Sequence, residues 1–218
     1  MMSKIISFSL WGDASRYCIG AVKNAELAQE IFPDWQCKFF VDESVPEDYI
    51  KTLSEFSNSE VIMTTDLEVF GAFWRFYPMF ESDDNIVISR DVDSRLSHRE
   101  FRCVTEWMES DKKYSIIRDH DRHYDWPILA GMWGMKGKFD PKFLPMMNHY
   151  AGHHFYTIDQ LFLRDQIWKY AKEDCLIHGF NEVEWMKEDR DLNHFIGQGY
   201  DENDNPLYSG ESSGEKLQ

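Results

Sequence analysis

The stretch Ile86-Val87-Ile88-Ser89-Arg90-Asp91-Val92-Asp93-Ser94-Arg95 decides how this chain is read: an apolar, β-branched run leads directly into two carboxylates one residue apart. An extended chain alternates its side chains between two faces, so Asp91 and Asp93 share a face while Val92 points the other way. Acids at the carboxyl end of a buried strand suit a divalent cation, because hard cations take oxygen ligands, at roughly 2.1 Å for the magnesium type. The plainer alternative is an Asp pair satisfied by helix amides or by Arg90, Arg95 and Arg99. Asp-x-Asp alone is a weak signal, and the strand before it is what favours the metal.

Outward from this strand the chain alternates strands and helices. Lys4–Leu10 reads as a buried strand ended by Trp11-Gly12-Asp13, Ser15–Phe32 as a helix stopped by Pro33, and Gln36–Val41 as a second strand. A helix is expected over Pro46–Phe56, a strand over Glu60–Met63 and a helix carrying Arg75 over Val69–Phe80. Ser97-His98-Arg99-Glu100 fits a capping box opening a helix that runs to about Ser110. Strands follow at Tyr114–Arg118 and Ile128–Met135, helices at Pro141–Tyr150 and Ile158–Ala171, and a short strand at Cys175–Ile177. This order implies an α/β sandwich, one domain over residues 1–200, with a mostly parallel sheet whose ligands sit beyond the carboxyl ends of its strands. That rule brings Trp11–Asp13, Asp91, Asp93 and Gly131 to one rim. From 201 to 218 the polar composition reads as a flexible tail.

Composition narrows the function further. At 218 residues with 43% hydrophobic and 16% aromatic content, the chain is long enough for one substantial core. A net charge of −16 and the lack of a basic stripe disfavour a nucleic-acid partner. Cys18, Cys37, Cys103 and Cys175 are widely spaced, which favours reduced thiols over a disulfide framework. No apolar run reaches the roughly 18 residues of a membrane span, and no signal peptide is legible, so a soluble, cytoplasmic protein is expected. Neither G-x-G-x-x-G nor a P-loop nor G-x-S-x-G is present. His149, His153 and His154 lack an H-E-x-x-H frame and read as a polar loop rather than a zinc site.

Several motifs in order carry a more specific likeness. Phe8-Ser9-Leu10-Trp11-Gly12-Asp13, Phe73-Trp74-Arg75-Phe76, Arg90-Asp91-Val92-Asp93-Ser94-Arg95, Ile128-Leu129-Ala130-Gly131-Met132-Trp133-Gly134, and Phe195-Ile196-Gly197-Gln198 with Asp201–Pro206 span nearly the whole chain. Together they resemble small GT-A-type glycosyltransferases, in particular the bacterial and viral proteins described as capsular-polysaccharide-synthesis enzymes, with glycogenin-like and galactosyltransferase-like features. The resemblance implies a single-domain, Rossmann-like GT-A fold. It also implies transfer of a sugar from a nucleotide-diphosphate donor, with Mn²⁺ or Mg²⁺ bridging the donor phosphates, to a saccharide or glycoconjugate acceptor.

The resemblance further implies roles for individual residues. Asp91 and Asp93 hold the metal, and His178 is the matching position for a third ligand, although a satisfied histidine at a strand end is an equal alternative. Phe8, Leu10, Arg90, Val92, Ala130 and Gly131 fall where such enzymes contact the donor. Arg75 suits the diphosphate through its bidentate fork, and Asp119, with His120, suits sugar hydroxyls. Trp11 and Tyr17 have rings able to stack on the donor base, core packing being the commoner fate of such rings. Asp159 and Gln160 resemble the reaction-centre pair of retaining enzymes, against the plainer reading of an acid in a first helical turn. Two rivals remain: an enzyme glycosylating a hydroxymethylated DNA base, and a non-catalytic module that binds a nucleotide sugar without turnover. Donor sugar, acceptor and oligomeric state are not legible.

Overall fold

The computed structural model describes residues 3–64 and 69–207. Seven strands, β1 (Ser3–Leu10), β2 (Gln36–Val41), β3 (Ser59–Met63), β4 (Asn85–Arg90), β5 (Tyr114–Arg118), β6 (Met132–Lys136) and β7 (Cys175–Gly179), form one sheet in the order β3-β2-β1-β4-β6-β5-β7. Neighbours run parallel except around β6, which is antiparallel to both β4 and β5. The expected α/β sandwich with a mostly parallel, mixed sheet is therefore observed. Strand β6 begins later than Ile128, because a turn closed by Met132 N–H on the Leu129 carbonyl (3.0 Å) occupies its entry.

Strand alternation assigns the two faces. Ile6, Phe8, Leu10, Ile86 and Ile88 pack with α1 (Ser15–Ile31), α2 (Glu47–Glu55) and α3 (His98–Glu109). Ile5 and Val87 pack on the opposite face with a 3₁₀ helix (Gly71–Phe80), α4 (Phe143–Ala151), α5 (Ile158–Phe162), a π turn (Leu163–Ile167) and α6 (Trp168–Ala171). The sequence foresaw the last three as one helix, and they do run on directly. A short helix α7 (Glu184–Glu188) follows β7. Cys18, Cys37 and Cys103 are buried and Cys175 is half-buried, all four as free thiols. No helix among the described residues is long and apolar enough to cross a membrane.

The same alternation corrects two sequence expectations. Arg90, an even-numbered residue, faces α3 and is 2% exposed, paired with Glu100 and donating to the Ser89 carbonyl at 2.7 Å and the Trp133 carbonyl at 3.3 Å. Its side chain is part of the fold, not of the donor surface. Ser97 caps α3, its hydroxyl accepting from Glu100 N–H at 3.2 Å, but Glu100 does not reach back as a capping box requires, because Arg90 claims its carboxylate. The stretch expected as a tail is described only at its start. Residues 201–207 form a turn bridged at Tyr200 and Pro206, and residues 208–218 lie outside those described.

Breaking a buried ion pair leaves one charge stranded in low dielectric, which typically costs about 3–5 kcal/mol. Glu100→Gln is accordingly expected to lower unfolding stability by several kcal/mol in urea titrations, whereas Arg90→Met combined with Glu100→Leu recovers most of the loss. A cost for Glu100→Gln no larger than that of a surface change contradicts this role.

Candidate active site

Asp91, the first residue past β4, turns to the face opposite Arg90 and meets Arg75. The 3₁₀ helix carrying Arg75 is pinned to the sheet by Arg75 N–H donating to Ser9 Oγ at 2.9 Å. From there the buried guanidinium donates through Nη1 to Asp91 Oδ1 and to the Arg90 carbonyl (3.2 Å), and through Nη2 to Asp159 Oδ2 (2.7 Å). Burial works against the Arg75 charge, and the fields of Asp91 and Asp159 more than offset it, so its pKa is raised. Asp159 lies in the first turn of α5, beyond the left-handed Thr157 (φ 72°), and its Oδ1 accepts from Gln160 N–H at 2.9 Å. Burial raises the Asp159 pKa, with Arg75 acting in the opposite sense.

Gly131 closes this cluster from the side of β6. A Cβ added there would lie 2.1 Å from Asp91 Oδ2. The small residue is thus required by direct approach of its backbone to the carboxylate. Ala130 supports the same turn through its carbonyl, which accepts from Ser89 Oγ at 2.7 Å.

Asp93 shares this rim. Burial, and then the neighbouring Asp91 charge, raise its pKa to about 6, while Arg16 pulls the other way with Nη2 4.0 Å from Asp93 Oδ2. Asp93, and Asp91 through the oxygen not bound to Arg75, could supply the oxygen ligands a hard dication takes. Among the described residues no group of three or more His, Cys, Asp or Glu side chains is arranged to hold a metal ion. An ion at Asp91 and Asp93 would have to complete its shell with substrate phosphates and water.

Helix α1 supplies the inner wall of this loop. Gly20 packs so closely that a Cβ would lie 2.2 Å from the Val92 carbonyl. Asn24, fully buried, donates from Nδ2 to the carbonyls of Val92 (3.1 Å) and Ser94 (2.9 Å), and its Oδ1 accepts from Leu96 N–H (3.0 Å). Sequence reasoning missed both residues. An isolated glycine inside a helix is a sign of close packing, but nothing in the sequence of α1 names the loop it packs against.

Other expected site residues lie elsewhere. His178 pairs in register with Ile117 on the α3 face, where its Nε2 meets Glu106 Oε2 at 3.0 Å. Three strand spacings separate β7 from β4, about 14 Å, so His178 does not join Asp91 and Asp93. Asp119 is 2% exposed: both its oxygens accept from Arg99, at 2.7 and 2.8 Å, and Oδ2 also accepts from Ile196 N–H at 2.9 Å. It braces the C-terminal stretch and has no accessible oxygen for a sugar. Phe8, stacked on Phe39 at 4.9 Å, Leu10 and Val92 are core side chains, so any donor contact from them is through backbone. His120 packs on Phe195 at 4.4 Å. Trp11 keeps 41% exposure beside Phe70 and Trp74, and Tyr17 lies under the Arg16 guanidinium at 4.3 Å. Both rings stand at the rim, Tyr17 on the Asp93 side.

Gly131→Ala is expected to displace the Asp91 carboxylate by a fraction of an ångström or more, a misplacement that costs on the order of 100-fold in activity, with circular dichroism unchanged. Unaltered turnover contradicts the contact. The raised Asp93 pKa means that the folded chain binds this proton more tightly than the unfolded one. The buried carboxylate thus weakens the fold above about pH 6, and the penalty fades as pH falls toward the ordinary carboxylate value. In metal-free buffer Asp93→Asn is expected to raise the melting temperature at pH 7.5 and to leave it unchanged near pH 4. Equal shifts at both values contradict this.

No protein-family model and no curated protein matches the sequence. Among solved structures the chain is similar to the galactosyltransferase LgtC in complex with donor and acceptor sugar analogs, with TM-score 0.46 and 14% identity over 80% of this chain and 72% of that one. It is likewise similar to an active-site Gln-to-Glu mutant of LgtC, with TM-score 0.45 and 14% identity over the same shares. A third likeness is 4-diphosphocytidyl-2C-methyl-D-erythritol synthase from Anaerococcus prevotii, with TM-score 0.44 and 12% identity over 82% of this chain and 86% of that one. At this level of similarity they carry no argument about this chain's chemistry, which rests on the geometry above.

Proposed function

We propose that this chain is a metal-dependent glycosyltransferase that moves a sugar from a nucleotide-diphosphate donor to an acceptor hydroxyl. The observation that carries this reading is the convergence of Arg75, Asp91, Asp93, Asp159 and Gly131 at the carboxyl edge of the sheet, where an α/β fold binds its ligands. Asp91 and Asp93 are the carboxylates that hold Mn²⁺ or Mg²⁺. Bound there, such an ion neutralises charge developing on the departing nucleoside diphosphate, a Lewis-acid contribution of several kcal/mol.

The remaining work falls to this chain's own groups. Arg75, fixed by two carboxylates, presents a permanent cation beside the diphosphate and the sugar. Asp159, buried and held by Arg75 and by Gln160 N–H, fixes the Arg75 guanidinium and the start of α5 at the reaction centre. In this reading Gln160, half-buried next to it, works beneath the anomeric carbon and the transfer retains configuration. In this reading the donor base stacks on Trp11 or Tyr17. The acceptor in this reading is a saccharide or glycoconjugate. A chain of net charge −16 is poorly suited to a hydroxymethylated DNA acceptor.

Asp93→Asn is expected to abolish release of nucleoside diphosphate from a panel of nucleotide sugars assayed with Mn²⁺, while the variant remains folded. Wild-type rates in that variant overturn the metal role. Failure of the wild-type chain to hydrolyse or transfer any donor in the panel leaves only a binding module.

A further inference from the structure

Asn24 anchors the carbonyls on either side of Asp93 from within the fold, but the Asp93 carbonyl itself is held from outside. It accepts from Tyr200 N–H at 2.8 Å and from Arg95 Nη1 at 3.3 Å. Arg95 is the hub of this outer grip. Its Nη1 also donates to the Ser94 carbonyl (2.9 Å), Nη2 donates to the Asp201 carbonyl (3.4 Å), and the guanidinium lies 5.4 Å from the Tyr200 ring centre. Its Nε donates to Asp204 Oδ1 at 3.0 Å, while the other Asp204 oxygen pairs with Lys23 of α1.

Asp204 is presented for this contact by the turn that carries it. Asp201 Oδ1 accepts from the N–H groups of Asn203 (2.9 Å) and Asn205 (2.8 Å), and Asp201 N–H donates to the Asn205 carbonyl at 2.9 Å. Asp204 sits at the tip in the left-handed region, φ 63°, a conformation that Asp tolerates better than most residues. Leu207 N–H closes the base on the Gly199 carbonyl at 2.9 Å. The turn is therefore pre-formed, and its Asp204 carboxylate ties α1 and the Asp-x-Asp loop together.

We propose that Asp204 is a positioning residue for the metal site: through Arg95 and Tyr200 it locks the Asp93 peptide, so that cation affinity depends on the C-terminal turn. This rests on the reading of Asp91 and Asp93 as metal ligands. Asp204 touches neither carboxylate and is half-exposed, so its removal does not disturb the core.

The test compares the full chain with Asp204→Asn and Asp204→Glu by amide hydrogen exchange and by titration with Mn²⁺ alone, followed by electron paramagnetic resonance. Asp204→Asn is expected to speed exchange at the Tyr200 amide by roughly fivefold, the scale of an exposed ion pair. Its Mn²⁺ affinity is expected to fall about tenfold, as for partners behind metal ligands, with exchange at Ile88 and the melting temperature unchanged. Asp204→Glu is expected to restore much of both. Unchanged Tyr200 exchange in Asp204→Asn overturns the latch, and faster exchange with unchanged Mn²⁺ affinity overturns its positioning role. A wild-type chain that binds no Mn²⁺ sinks the metal reading instead, and Tyr200 exchange still decides whether the latch exists.

Discussion

The buried guanidinium of Arg75, shared between Asp91 and Asp159, is the interaction on which the rest of the site depends. A lone buried cation is costly, and the two carboxylates compensate for it only because the 3₁₀ helix, β4 and α5 meet at one point. The compensation is more than complete. Three acids, Asp91, Asp93 and Asp159, face one arginine at this edge, with Arg16 farther off. Burial first, and then the Asp91 charge, push the Asp93 carboxyl up to about 6. A dication would offset this charge, as the proposed reading requires.

Fixing the carboxylates takes three close approaches of backbone or small side chains. Gly131 lets the turn before β6 abut Asp91, Gly20 lets α1 abut the Val92 carbonyl, and Asn24 binds the Val92 and Ser94 carbonyls and the Leu96 amide. A loop held this way has little freedom to reorganise when a charged ligand arrives, and that preorganisation is where electrostatic catalysis gains its advantage. The C-terminal turn adds an outer restraint made of exposed ion pairs, which salt screens more readily than the buried contacts of Asn24.

Much of the fold was legible because it depends on local pattern. The apolar runs of β1, β2, β4 and β5 and the Pro33 stop mark their elements within a residue or so. The apolar run of β4 marked the place of Asp91 and Asp93 just past its end, but residues 91–94 form a turn, Ser94 N–H closing on the Asp91 carbonyl at 3.2 Å, rather than the extended alternation expected. What failed was any inference that needed to know which face a residue takes or what already pairs with it. His178 falls on the α3 face, Arg90 is taken by Glu100, and Asp119 is consumed by Arg99 and Ile196. The antiparallel sense of β6 was invisible for a similar reason: Ile128–Met135 has a strand-like composition whichever way it runs. Asn24 gave no signal at all, and Arg95, weighed as a partner of the Asp pair's carboxylates, binds the Asp93 and Ser94 carbonyls instead, since a polar residue reveals its partner only in three dimensions.

The central claim is most directly tested by anomalous diffraction from crystals grown with manganese and a nucleoside diphosphate. The account predicts one strong manganese peak at roughly 2.1 Å from oxygens of both Asp91 and Asp93, the spacing of a small hard cation, with Asp159 still bound to Arg75. Density showing Asp91 clasped by Arg75 and no metal within reach of Asp93 would contradict it.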